Sequence, residues 1–237
     1  MNQSMSKRSL KDLQLAYRIY FTLGALFICA LVVSNLIFQK FFSWNPFGWF
    51  NFEVSVGILP YPITFLITDL VSEIYGRKKA NQMVTTGIFA SIFSLLIVYV
   101  ADAVPAIATS PVNDALFTKV FGATALAVLA SMTAYLLAQY VDIYIYHFWK
   151  KLTKGKHLWV RNNFSTFISQ FVDTLSVLLL LCSFGILPWD IFGKLLLSGV
   201  LFKIVIAALD TPLLYLGVYL FRKKFNLSEG EELQLDV

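Results

Sequence analysis

The sequence predicts an all-α integral membrane protein with six transmembrane helices and both termini in the cytoplasm. Three observations predict it. Hydrophobic residues make up 58% of the 237 residues and charged residues 14%, against roughly 45–50% and about 25% in a soluble domain. Six apolar runs are long enough for a helix to cross a hydrocarbon core about 30 Å thick. Lysines and arginines gather in every second connection, the pattern that marks the cytoplasmic side. A mean hydropathy of +0.70 would leave much apolar surface in water, unfavourable by roughly 25 cal/mol per Å². A disordered chain, a disulfide-stapled secreted protein and an ordinary cytosolic enzyme are thereby excluded. The net charge of +5 sits at the ends of the runs, so it reads as a topology signal rather than a nucleic-acid surface.

The first run, 20–38, follows Lys7, Arg8, Lys11 and Arg18. It is longer than the apolar centre of a signal peptide and five more runs follow, so it reads as an uncleaved span. The connection FFSWNPFGWFNFE, from Phe41, is rich in rings that suit the headgroup region; a lid over an outer vestibule is the alternative. Run two, 58–75, is the least apolar because it holds Pro60, Pro62, Asp69 and Glu73. Its prolines predict a broken entry, with regular helix from near Pro62. Arg77, Lys78 and Lys79 then mark the inner side. Run three, 82–101, leads to a plain outer connection with Pro105 and Pro111. Runs four (116–148) and six (191–221) are long enough to tilt or to continue beyond the hydrocarbon. Between runs four and five (164–187) lie Lys150, Lys151, Lys154, Lys156 and Arg161. Arg222, Lys223 and Lys224 close run six, whereas the outer connections hold only Lys40, Lys119 and Lys194. Residues 1–225 thus read as a single six-span domain. Residues 226–237, with Glu229, Glu231, Glu232 and Asp236, read as a solvated acidic cytoplasmic tail.

The informative residues are the polar ones within the runs. A charge at such depth costs about 2.5–3.5 kcal/mol on insertion scales. This chain places Asp69, Glu73, Asp142, Asp173, Asp210 and Lys203 there. One lysine cannot neutralise five acids, so a hydrated cavity, protons or a ligand must supply the rest. Counting turns from the flanking bases puts Asp69, Asp142, Asp173 and Asp210 in the inner half of the membrane, with Lys203 nearer the middle. Asp210, two turns beyond Lys203, is the natural intrahelical ion-pair partner. Asp69 and Glu73 share a helix face at i,i+4, and Gln139/Asp142 and Gln170/Asp173 do so at i,i+3. The last two pairs sit in an echoed Gln-aromatic-Val-Asp, with Tyr140 in one copy and Phe171 in the other. Asn35 is a further buried amide, a type that also serves as glue between helices. Carboxylates accept from N–H groups, amides donate and accept, and rings stack on flat solutes. A purine-like base suits such a cavity, and inorganic anions and sugar phosphates do not. Cys29 and Cys182 lack metal-ligand spacing, so no metal and no cofactor is expected.

Several stretches carry a family resemblance: Pro62-Ile-Thr-Phe-Leu-Ile-Thr-Asp-Leu70 with Glu73, Tyr75 and Gly76; Gln139 with Asp142; and Arg161-Asn-Asn-Phe-Ser-Thr166. Ser169-Gln170, Asp173-Thr174, Lys203 and Asp210-Thr-Pro212 complete the set. The chain resembles the bacterial queuosine-precursor transporters, a six-span group akin to vitamin-uptake membrane proteins. The resemblance implies a multi-pass protein of the bacterial inner (plasma) membrane that imports deazaguanine bases: the cyano and aminomethyl precursors of queuosine, or queuine itself. The expected substrate site comprises Asp69, Glu73, Gln139, Asp142, Gln170, Asp173 and Lys203, with Asn35, Asn163 and Asp210 beside them. Tyr140 or Phe171 would be available to stack on the base, and a homodimer is compatible with the sequence.

Arg161-Asn162-Asn163 also reads as an inner helix start, with Asn capping and Arg at the headgroups. Proton coupling and facilitated diffusion are both open. No GxxxxGK[ST] is present, so any ATP-driven version requires a partner; a substrate-binding subunit of an ATP-driven vitamin importer is the alternative function. An intramembrane aspartyl protease would need the missing GxGD. Ser–His chemistry is poorly served by His147 and His157 at the inner end of run four.

Overall fold

The structure, a computed structural model, describes residues 10–38, 40–45, 48, 52–122, 125–154, 156–185 and 187–234. The chain runs α1 (Leu10–Ile37), β1 (Phe41–Trp44), β2 (Phe52–Ser55), a 3-10 turn (Val56–Ile58), α2 (Tyr61–Ile74) and α3 (Arg77–Ala103). It continues through α4 (Asp114–Phe117), a π-helical turn (Thr118–Gly122), α5 (Ala125–Leu152), α6 (Leu158–Ser183), a second 3-10 turn (Trp189–Ile191) and α7 (Phe192–Phe225). Among the described residues, five helical segments are long and apolar enough to cross a membrane: Leu10–Ile37, Val56–Ile74, Arg77–Ala103, Leu158–Ser183 and Trp189–Phe225. α5, with 28 residues, matches them in length and packs along α6. Its described residues start at Ala125, and the described residues before it are also helical, α-helical over Asp114–Phe117 and π-helical over Thr118–Gly122.

α2 is the central rod. Pro62 lies in its first turn, where a missing N–H leaves no helical bond unmade. From Ile67 to Ile74 every residue is buried, against α1, α3, α5 and α7. The outward faces of α3 and α7 carry exposed Phe89, Phe93, Leu213 and Tyr219, while the bundle interior holds Thr64, Thr68, Gln139 and Ser169. Exposed apolar side chains outside, with buried polar groups beside an apolar cluster inside, fit a hydrocarbon solvent. α2 ends at Ile74, and Gly76, whose φ of +82° suits glycine, turns the chain into α3.

The aromatic connection is more than a headgroup belt. β1 and β2 pair antiparallel, Phe41 opposite Ser55 and Trp44 opposite Phe52, and the rings of Trp44 and Phe52 stand edge-on to Phe202 of α7. The Ser34 hydroxyl donates to the Gly57 carbonyl and the Ser55 hydroxyl to the Phe38 carbonyl, pinning the hairpin to the end of α1. Gly57 has no space for a side chain: a Cβ there would lie 2.7 Å from the Ser34 carbonyl oxygen and 2.9 Å from Phe38 Cα. Gly57→Ala is therefore expected to lower stability by about 1–3 kcal/mol, seen as a reduced melting temperature in detergent. An unchanged melt would show that this junction is slack.

The residues after α7 fold back on the basic end of the bundle. Leu227 and Leu233 are buried, the Leu233 N–H donates to the Ile74 carbonyl at 2.6 Å, and Lys150 Nζ reaches Glu232 Oε1 at 2.9 Å. The segment is thus anchored at Leu227, Glu232 and Leu233, while Asn226, Ser228, Glu229, Glu231 and Gln234 are exposed. Leu233→Asp should undock it by removing apolar burial of about 1.5–3 kcal/mol. Faster cleavage of the tail in limited proteolysis would report this, and unchanged protection would refute it.

Candidate functional site

α5 and α6 lie side by side, and the two copies of Gln-aromatic-Val-Asp meet across them. Gln139, Asp142, Gln170 and Asp173 are all buried. Ser169 of α6 donates to Asp142 Oδ1 at 2.9 Å. Asp69 of α2 brings its carboxyl within hydrogen-bonding reach of that of Asp142. Towards α7, Lys203 forms an ion pair with Asp173, and its ammonium lies 5.3 Å from the centre of the Tyr61 ring. Tyr61 stands edge-on to Tyr135 with centroids 5.1 Å apart, and Gln139 Nε2 donates to the Tyr135 hydroxyl at 2.6 Å. The Lys203 ion pair thus joins α7 to α6, not to Asp210 on its own helix.

This polar centre is short of donors. Asp69 Oδ1, Asp142 Oδ2, Gln139 Oε1, Gln170 Oε1, Asn162 Oδ1 and Thr166 Oγ1 are buried with no hydrogen-bond partner. A buried polar atom left unsatisfied costs about 1–3 kcal/mol, and a protein that needed these groups only for packing would be more stable without them. All but the Thr166 hydroxyl can only accept. Two adjoining cavities run along the seam of α2, α6 and α7, sharing Phe65, Thr166, Ala207 and Asp210 as walls. Tyr61, Gln170, Phe202 and Lys203 face the first; Asp69 and Asn162 face the second. Room for the centre of a water molecule amounts to about 20 Å³ and about 10 Å³ respectively. The first exceeds the ~10–15 Å³ that one water requires and the second just meets it. A flat base enters only if helices separate. The chemistry on offer is capture of an N–H-rich solute between aromatic walls in a closed bundle.

Glu73 belongs to a different cluster. Fully buried, its carboxylate takes Arg161 Nη2 at 2.5 Å, a bond from Arg222, and the Tyr146 hydroxyl at 3.0 Å. Lys150 Nζ stands 3.8 Å from Glu73 Oε2 and donates to its backbone carbonyl at 3.2 Å. One carboxylate therefore ties α2 to α5, α6 and α7 at the basic end, one turn beyond Asp69. The expectation of Glu73 beside the other acids is corrected: it is saturated by cations and donates nothing to the cavity. Arg161, only 1% exposed, is inside the bundle rather than at the headgroups, and also donates to the Lys156 carbonyl at 2.9 Å. Counting one lysine against five acids failed because Arg and Lys side chains reach inward from helix ends.

The family described as "Putative vitamin uptake transporter" matches residues 55–217. The chain belongs to this family. As a vitamin-uptake-type transporter it is a membrane transport protein with several membrane-crossing helices, and the matched region holds every cavity-lining residue named above. A relative in Bacillus subtilis (strain 168), described as "Probable queuosine precursor transporter", is 27% identical over 167 residues, 70% of this chain and 72% of that protein. No solved structure matches.

For this vitamin-uptake-type transporter, Asp69, Gln139, Asp142, Gln170, Asp173, Lys203 and Asp210 are gathered around one polar centre and its cavities. Asn163 is close by but engaged: its amide donates to the Trp159 carbonyl and accepts from Thr211. Asn35 is on α1, which packs mainly on α2, α3 and the 3-10 turn; its amide nitrogen is buried and unpartnered. The stacking roles of Tyr140 and Phe171 are also corrected. Both rings are exposed on the outer face, and the Tyr140 hydroxyl bonds Thr85. Tyr61, Phe65 and Tyr135 are the rings that face inward. Sequence reasoning missed these, along with Asn162, Thr166 and Ser169. A signal was available: 162, 166, 169, 170 and 173 form a polar stripe at helical spacing along α6.

Proposed function

We propose that this chain imports a queuosine precursor, a flat deazaguanine base, across the bacterial inner membrane, using the polar centre between α2, α5, α6 and α7 as its binding site. The observation that carries this reading is the set of buried, unpartnered acceptors around Asp69, Asp142, Gln139 and Gln170. A guanine-like edge offers N–H donors in a plane, and Tyr61 and Phe65 offer faces on which such a plane stacks. The name of the Bacillus subtilis relative supports the substrate class. In this reading α5 is the sixth crossing and both termini lie in the cytoplasm, which the clustering of Lys and Arg in alternate connections supports. In this state the hairpin and Phe202 cover the outer approach and the Glu73 cluster ties the inner end. Transport then requires each to yield in turn, the base remaining between them.

Uptake of labelled precursor by a strain unable to make it tests the reading. Asp142→Asn and Asp173→Asn each remove a charge-assisted bond of about 1.5–3 kcal/mol, so apparent affinity should fall roughly 10- to 100-fold. Normal uptake by both variants would dismiss this grip.

A further inference from the structure

The charges around the cavities do not balance within the protein. Asp69, Asp142, Asp173 and Asp210 surround the polar centre, yet Lys203 is the one base among the described residues lining the two cavities, and Asp173 already engages it. The next nearest cations, Arg161, Arg222 and Lys150, converge on Glu73. Asp69 Oδ1 and Asp142 Oδ2 carry no hydrogen bond; hydroxyls (Thr166 at Asp69, Ser165 and Ser169 at Asp142) but no cation stand beside these two carboxyls, which lie side by side. Two adjacent carboxyls buried away from water need a proton or a cation to neutralise them. Amides beside the acids add ligand-directed geometry. Asn162 and Gln170 are 4% and 5% exposed, their side-chain oxygens accept no hydrogen bond, and they line the two cavities together with Thr166. The wall is also suited to positive charge: Tyr61 already carries the Lys203 ammonium over its ring, with Phe65 beside it, an arrangement that attracts cations more strongly once water is excluded.

We infer that the site selects bases bearing a positively charged amine, so that an aminomethyl-substituted deazaguanine binds more tightly than a neutral one of the same shape. The flat base satisfies the amide and hydroxyl acceptors while its ammonium supplies the cation that Asp69, Asp142 and Asp210 lack. This rests on the base-import reading above but is separable from it.

The experiment is equilibrium binding to the purified protein in detergent. It compares aminomethyl-deazaguanine with hydroxymethyl-deazaguanine, a neutral isostere, and with cyano-deazaguanine. The aminomethyl base should bind at least about tenfold more tightly than the hydroxymethyl base, a difference of ~1.4 kcal/mol. Equal affinity, or preference for a neutral base, overturns the inference while leaving base import standing. Binding of none of the three overturns both. In Asp142→Asn and Asp210→Asn the amine-to-hydroxyl affinity ratio should fall towards one. A ratio preserved in both variants would overturn the assignment to these acids. Asp210 is only half-buried, so its variant is the safer to fold, and the wild-type ratio decides even without it.

Discussion

Glu73→Gln should be among the most damaging substitutions in the protein, lowering stability by about 3–5 kcal/mol, as expected when one partner of a buried ion cluster is removed. The neutral amide keeps the shape but leaves Arg161, only 1% exposed, with Arg222 and Lys150 drawn together around an uncharged centre. Four helices lose their common tie at once. The measurement is membrane yield and thermal unfolding in detergent. Pairing the change with Arg161→Met should recover part of the loss, because one orphaned charge has been removed. A single variant that melts at the wild-type temperature would mean that the cations are satisfied elsewhere and that the cluster is not a tie.

Lys203→Met comes next, and its effects divide differently. It leaves Asp173 buried without its cation beside Tyr61, so a stability loss approaching the same ~3–5 kcal/mol is expected, together with loss of uptake. Lys203→Met combined with Asp173→Asn removes both charges, and melting should return towards wild type. Uptake should not return, because the ammonium that lines the cavity and the carboxylate that holds it are both gone. Restored transport in the double variant would show that the pair serves only to hold α6 against α7. Lys203→Arg is not a neutral exchange, since the wide planar guanidinium does not match a compact ammonium over a ring.

Much of the architecture is legible from hydropathy and charge because the bilayer admits so few solutions. The helical rods, the proline entry to α2 and the burial of Asp69, Asp142 and Asp173 all follow from one-dimensional patterns. What those patterns omit is which helix lies beside which. Lys203 was read against Asp210 because both lie on one helix, whereas packing of α6 on α7 supplies Asp173 instead. The reach of Arg161 and Lys150 into the bundle depends on side-chain length, not on where their Cα atoms stand. The outward rings were within reach of geometry alone. At 3.6 residues per turn, Tyr140 is rotated roughly 100° from Gln139 and cannot share the face of Gln139 and Asp142. The hairpin was hidden because aromatic residues suit both an interfacial belt and a strand.

The docking of Leu233 on Ile74, and of Glu232 on Lys150, has a bearing on biogenesis. Synthesis proceeds from the N-terminus, and α2 enters the membrane long before residues 227–234 leave the ribosome. Until they do, the end of α2 exposes a backbone carbonyl and Lys150 lacks one of its two acidic neighbours. A nascent chain arrested just past α7 would therefore hold all its rods yet remain unfastened at its basic end.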